Sequence, residues 1–261
     1  MRRLSAALTV LAAGCISRVE AAPRQNAATI APPRAAQATG SSITGRVTWH
    51  GAHPAAPAMP HTGPGAAGCG ESNPFQALRV GSDEGVQFAV VSLEGPSVPA
   101  ASGTPVGTTL DQHGCMFEPH VVALQAGGRL TLQNHDTVLH SAHAFRGGAS
   151  EFNVATPPGL TMNQTVRNAG LLRLQCDVGH NWMHGFIHAF PHAFFAVTDA
   201  HGAFHIDHVP AGTYTVRMWH EGWTPRTSSD GHPSYSDPVT QTHSVTVTAG
   251  APAQTNFTLG S

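Results

Sequence analysis

The sequence predicts an all-β protein. From residue 43 onward short apolar or alternating runs recur, Gly, Pro, Asn and Asp break them, and almost nothing keeps a helical period. Strands are expected at 43–49, 86–93, 121–124, 130–132, 171–175, 185–190, 194–198, 213–219, 244–248 and 255–259. The segments Asp199-Ala200-His201-Gly202 and Pro210-Ala211-Gly212 read as turns between them. No repeat of fixed period is present.

Composition narrows the class. A 261-residue chain that is 41% hydrophobic can bury one large or two small cores. Only 11% of residues are charged, no lysine occurs among the 13 basic residues, and the formal net charge is -2. Nucleic acid and anionic membranes therefore find no basic surface to hold.

The chain opens MRRLSAALTVLAAGC, two arginines before an apolar run that ends on small residues, the layout of an export signal. The run is too short to span a bilayer, and no later segment is long and apolar enough to do so. Residues 1–21 are read as the signal and 22–41 as an Ala/Pro-rich linker. Leu11-Ala12-Ala13-Gly14-Cys15 resembles a bacterial lipobox that would place a lipid on Cys15; cleavage after Val19-Glu20-Ala21 is the alternative. The expected location is the periplasm, free or held by that anchor.

Ile43-Thr44-Gly45-Arg46-Val47, with Thr198-Asp199-Ala200-His201-Gly202-Ala203-Phe204 and Val209-Pro210-Ala211-Gly212-Thr213-Tyr214, resembles the carboxypeptidase regulatory-like, or transthyretin-like, β-sandwich. That resemblance implies opening and closing strands close in sequence, whereas here they are far apart. The economical reading is a sandwich of residues 42–104 and 193–261 with a second domain, 105–192, inserted at a loop; a tandem arrangement is the alternative.

Residues 171–190 read LLRLQCDVGHNWMHGFIHAF: a strand, then Cys176-x3-His180-x2-Met183, then a strand. Upstream, Asn134 ends a strand and His140 follows. Two imidazoles, a thiolate and a weak thioether are the ligand set that suits copper in both oxidation states. The pattern resembles cupredoxins, and more closely plastocyanin-like bacterial proteins whose copper loop carries C-x(2,3)-H-x-W-M. Asp111-Gln112, Cys115, Phe117, Pro119-His120-Val121, Phe152-Asn153 and Trp219-His220-Glu221 fit the same group. The resemblance implies a Greek-key β-barrel or sandwich holding one copper ion on His140, Cys176, His180 and Met183. The spacing departs from that of plastocyanin and resembles half of a binuclear copper loop, but Leu172 stands where the other bridging cysteine would fall, which excludes a binuclear centre.

Asn134 and Asp136 are candidates for fixing ligand geometry. His120, His143 and His184 lie near the ligand segments in sequence and are expected to line the pocket, hydrogen-bond a ligand or form a second metal site. His50, His53, His61, His201, His205, His208, His232 and His243 are expected to be solvated. If Cys15 carries lipid and Cys176 binds metal, Cys69 and Cys115 remain as a disulfide pair; Cys115 with Cys176 is the competing assignment.

Gly63-x-Gly65-x2-Gly68 fits a dinucleotide fingerprint in letters alone, since no strand precedes it and no helix follows. Neither a His-Glu-x2-His pattern nor a Gly-x-Ser-x-Gly elbow occurs, so no enzymatic activity is expected. The leading expectation is one-electron transfer with an unidentified redox protein as partner. Copper handling or tolerance, with a copper donor as partner, is the alternative, and a metal-free adhesion or glycan-binding scaffold is the third.

Overall fold

The structure is a computed structural model that describes residues 40–100, 102–229 and 231–260. Residues 1–21, Cys15 and nearly all of the expected linker lie outside the described residues. Ser41, placed in that linker by sequence, instead opens the first strand.

The principal strands begin with β1 (Ser41–His50) and β2 (Val90–Glu94). A second group holds β3 (Thr108–His113), β4 (Met116–Glu118), β5 (Val121–Gln125), β6 (Arg129–Asn134) and β7 (His140–Arg146). It continues through β8 (Ala149–Thr156), β9 (Thr161–Thr165), β10 (Gly170–Gln175) and β11 (His184–Phe190). Then come β12 (Phe195–Val197), β13 (Ala203–Val209), β14 (Gly212–His220), β15 (Val239–Val247) and β16 (Phe257–Gly260). The fold is all-β, as the punctuated alternation predicts.

The outer sandwich is made from both ends of the described chain. In one sheet β1 lies antiparallel to β13 and parallel to β16. The other sheet has the order β12-β2-β14-β15, antiparallel throughout. Ile43, Val47 and Trp49 of β1 bury against a core that includes Val91, Leu93, Val216 and Met218. Two turns fix the register of the later strands. Asp199 Oδ1 accepts from His201 N and Ala203 N, and Tyr214 Oη donates to Pro210 O at 3.0 Å.

Residues 108–190 form two further sheets, ordered β9-β6-β3-β4 and β8-β7-β10-β11-β5. Leu110, Phe117, Leu124, Leu130, Leu132, Leu172, Leu174 and Ile187 fill the space between them. Each fully buried side chain of this kind stabilises the fold by about 1.5–3 kcal/mol before the entropy of ordering is set against it. Leu130, Leu132 and Asn134 share the inward face of β6 at a period of two residues, which carries Asn134 into the interior as a polar group. Phe88, Val90, Val121 and Trp219 form a small apolar joint between the two sandwiches.

Several expectations change. The expected strand at 86–93 is interrupted at Phe88, whose φ of 68° turns its ring into that joint while Val86 and Ala89 stay in the outer core. β3, β4, β7, β8, β9 and β13 lie outside the expected strands; in β3 and β8 the inward positions include the polar Gln112 and Thr156, and β9 buries no residue, so the apolar half of the alternation is weak there. The 42–104 segment does not pack with the outer sandwich alone. Met59, Ala66 and Cys69 press on the inner core, so this stretch crosses onto the inserted sandwich. The glycine-rich decoy there is a short 3-10 turn, Pro64–Ala66. Gly65 is required in it, since a Cβ would stand 2.3 Å from Gly179 O.

Candidate metal centre

The ligand loop hangs between β10 and β11, and β7 lies beside β10 in the same sheet. Cys176 follows directly on β10, Met183 directly precedes β11, and His140 is the first residue of β7. Sheet pairing therefore brings His140 to the loop that carries the other three residues.

His140, Cys176 and His180 converge. The Nδ1 atoms of His140 and His180 are 3.1 Å apart, and Cys176 Sγ lies 3.9 Å from the first and 3.5 Å from the second. All three side chains are buried, His140 and Cys176 completely. Met183 is also buried, in the core cluster that contains Cys176, and its N–H donates to His180 O at 2.9 Å. The thiol sulfur accepts from Ser141 N at 3.3 Å, and Ser141 Oγ in turn accepts from Asp177 N at 2.9 Å. Ser141 escaped the sequence analysis; its adjacency to His140 was the single available signal.

Asp136 fixes the His140 ring. Its Oδ2 lies 2.9 Å from His140 Nε2, and because a carboxylate there can only accept, Nε2 carries the proton and Nδ1 offers its lone pair to the centre. Asp136 is itself held by Gly114 N at 2.7 Å and Cys115 N at 2.8 Å. Asn134 closes the turn, its Oδ1 accepting from Asp136 N and its Nδ2 donating to Val138 O and Thr156 O. The two residues thus clamp the chain between β6 and β7.

Burial holds the His140 imidazole below its usual range, against the opposing pull of Asp136, and lowers His180 in the same direction with His140 adding to the effect. Both rings are accordingly neutral donors at neutral pH. Burial pushes the Cys176 thiol up, while the Ser141 and Val178 N–H groups pull it back. Binding of a cation to the sulfur must therefore release a proton.

Cys69 and Cys115 are joined by a disulfide with Cα atoms 5.5 Å apart, and Cys176 is a free, buried thiol. The disulfide fastens the crossing segment beside the ligand loop, where Trp182 Nε1 donates to Cys115 O at 3.1 Å. His61, expected to be solvated, is half-buried and stacks on Trp182 with ring centres 4.2 Å apart. His143 does not face the trio: it binds Asp177 and, through Nε2, Ser150 Oγ at 2.8 Å. His120 and His184 lie together in a different buried group with Glu221.

Residues 191–260 match the carboxypeptidase regulatory-like domain. That module supplies β12 to β16, the later strands of the outer sandwich. No curated protein matches the chain by sequence. Among solved structures, the chain is similar to a purple cupredoxin from Nitrosopumilus maritimus at 17% identity and a TM-score of 0.29, covering 31% of this chain and 98% of that one. An amicyanin from Paracoccus versutus gives 14% identity and 0.29 over 35% and 96%. A copper-containing nitrite reductase from Thermus scotoductus gives 21% and 0.29 over 38% of this chain and 25% of its own.

Proposed function

We propose that this is an exported, non-catalytic protein that carries a single copper ion on His140, Cys176, His180 and Met183 and passes one electron at a time to a protein partner. The observation that supports it most is the convergence of two imidazole Nδ1 atoms and one thiol sulfur, each within 3.9 Å of the others, in the interior of a β-sandwich. The donor set fits the ion: soft sulfur with two nitrogens suits copper, and Asp136 already fixes the ligating tautomer of His140. Copper bound there would supply a Cu(I)/Cu(II) couple. The chain contributes the rest: buried neutral imidazoles, a sulfur steadied by the Ser141 N–H, and a loop pinned at each end by a strand.

Absorption spectroscopy of the copper(II)-loaded protein tests the reading. Intense visible thiolate-to-copper absorption is expected, and Cys176→Ser should abolish it with the β-sheet circular dichroism unchanged. A coloured Ser variant refutes the ligand assignment. Weak, exchangeable binding without colour would instead favour copper handling.

A further inference from the structure

A second buried group lies where the two sandwiches meet. His120, from the turn between β4 and β5, and His184, the first residue of β11, belong to the inserted sandwich, whereas Glu221 directly follows β14 of the outer one. All three are almost inaccessible, at 0%, 5% and 4% exposure. One nitrogen of each ring and a carboxylate oxygen lie within 4.8 Å of one another.

The hydrogen bonding around them is incomplete. His184 Nδ1 lies 3.3 Å from Trp182 O, which can only accept, so the proton sits on Nδ1 and the lone pair on Nε2. That Nε2 has no hydrogen-bond partner, and it faces Glu221 Oε2 at 3.9 Å, acceptor towards acceptor. His120 Nε2 contacts the other oxygen, Oε1. A proton shared between His120 and Glu221 satisfies that pair and leaves His184 Nε2 facing an oxygen with nothing between them. Buried polar atoms are rarely left in such a state. A cation would give His120 Nε2, His184 Nε2 and the Glu221 carboxylate a shared partner, while His120 Nδ1 stays without one as before, and 3.9 Å lies within the span of two metal–ligand bonds of about 2.0–2.1 Å each.

The geometry points to a second metal site, in which His120, His184 and Glu221 hold a divalent first-row transition ion that cross-links the inserted sandwich to the outer one. Two imidazoles and a carboxylate, with no thiolate, select such an ion rather than Cu(I) or a hard alkaline-earth cation. A route inward exists, since His184 and Glu221 line a cavity of about 300 Å³ together with Phe186, Tyr235, Ser236 and Asp237. The site shares no residue with the His140, Cys176 and His180 trio, although His184 is the chain neighbour of Met183.

Zinc(II) is the probe. Full-length protein is stripped with chelator, loaded with zinc, desalted and analysed for metal content and thermal unfolding. The wild type should retain one more zinc per chain than the isosteric Glu221→Gln and the His184→Gln variants, Cys176→Ser should retain one more than the double variant Cys176→Ser with Glu221→Gln, and zinc should raise the melting temperature of the first member of each comparison by a larger shift. Anomalous scattering at the zinc edge should place that ion between His120, His184 and Glu221. Far-UV circular dichroism shows that each variant is folded. Equal zinc retention by wild type and Glu221→Gln, or an ion located elsewhere, overturns the proposal. Failure of the copper reading would appear separately, as missing visible absorption in a wild type that still retains the Glu221-dependent zinc.

Discussion

Replacing Asp136 by Asn changes one atom and should disturb both the apo fold and the metal centre. The carboxylate accepts from Gly114 N at 2.7 Å, Cys115 N at 2.8 Å and His140 Nε2 at 2.9 Å. An amide has a single acceptor oxygen. If that oxygen takes the Oδ2 position it keeps Cys115 and His140, but its NH2 then confronts the Gly114 N–H. Losing one charge-assisted bond costs roughly 1.5–3 kcal/mol. The reverse orientation is worse, because it turns a donor towards His140 Nε2 and would force the ligating tautomer to change. The smaller loss therefore sets the expected destabilisation, read as a shift in urea unfolding of the metal-free protein. Copper retention in competition with a chelator should fall by about 10- to 100-fold, the usual consequence of removing an outer hydrogen-bond partner of a ligating histidine. A variant whose stability lies within about 0.5 kcal/mol of the wild type, as ordinary surface changes do, and whose copper retention is unaltered would refute the reasoning.

Three further outcomes are expected. His180→Ala should lose the visible absorption and regain part of it with exogenous imidazole, since a small cavity is left beside Cys176; an unchanged spectrum would move the ligand elsewhere. Replacing Cys69 and Cys115 together by Ala opens a link with a sequence separation of 46, worth up to about 4 kcal/mol by loop-closure entropy. Identical unfolding midpoints with and without reductant would show that the link contributes nothing. His188, packed on Trp219, is pushed down by burial, and secondarily by Arg217, from 6.5 to about 3. Its folded form stays neutral while the unfolded chain takes up a proton below pH ~6.5, so its stability contribution is complete above that pH and falls as the solution is acidified. His188→Gln should reduce the acid-side slope by about 1.4 kcal/mol per pH unit, measured by urea unfolding between pH 6 and pH 4. An unchanged slope would show that His188 does not carry it.

The chain order of Cys176, His180 and Met183 between two apolar runs already specifies a loop with all three residues at one end of a sheet, because a strand on each side limits where the loop can go. The all-β class was legible for the same reason: alternation and turn residues are local properties. What local pattern could not convey is which strands become neighbours. His140 reaches Cys176 because β7 pairs with β10. Asp136 orients that ring only once Gly114 and Cys115 have closed around it. Residues 59–73, which read as part of the outer sandwich, cover the ligand loop because the chain crosses over and is fastened there through Cys69. Glu221 shows the limit most sharply. Trp219-His220-Glu221 stood out in the sequence as part of a resemblance but with no ligand role for Glu221, which meets His120 and His184 because an inserted sandwich is folded back against the strand that ends at His220. The sequence by itself determined the β class and the loop that carries Cys176, His180 and Met183, which depend on spacing along one strand or turn. The tertiary structure decided the tautomer of His140, the cover over the loop and the second buried cluster, since each depends on contacts between segments far apart in the chain.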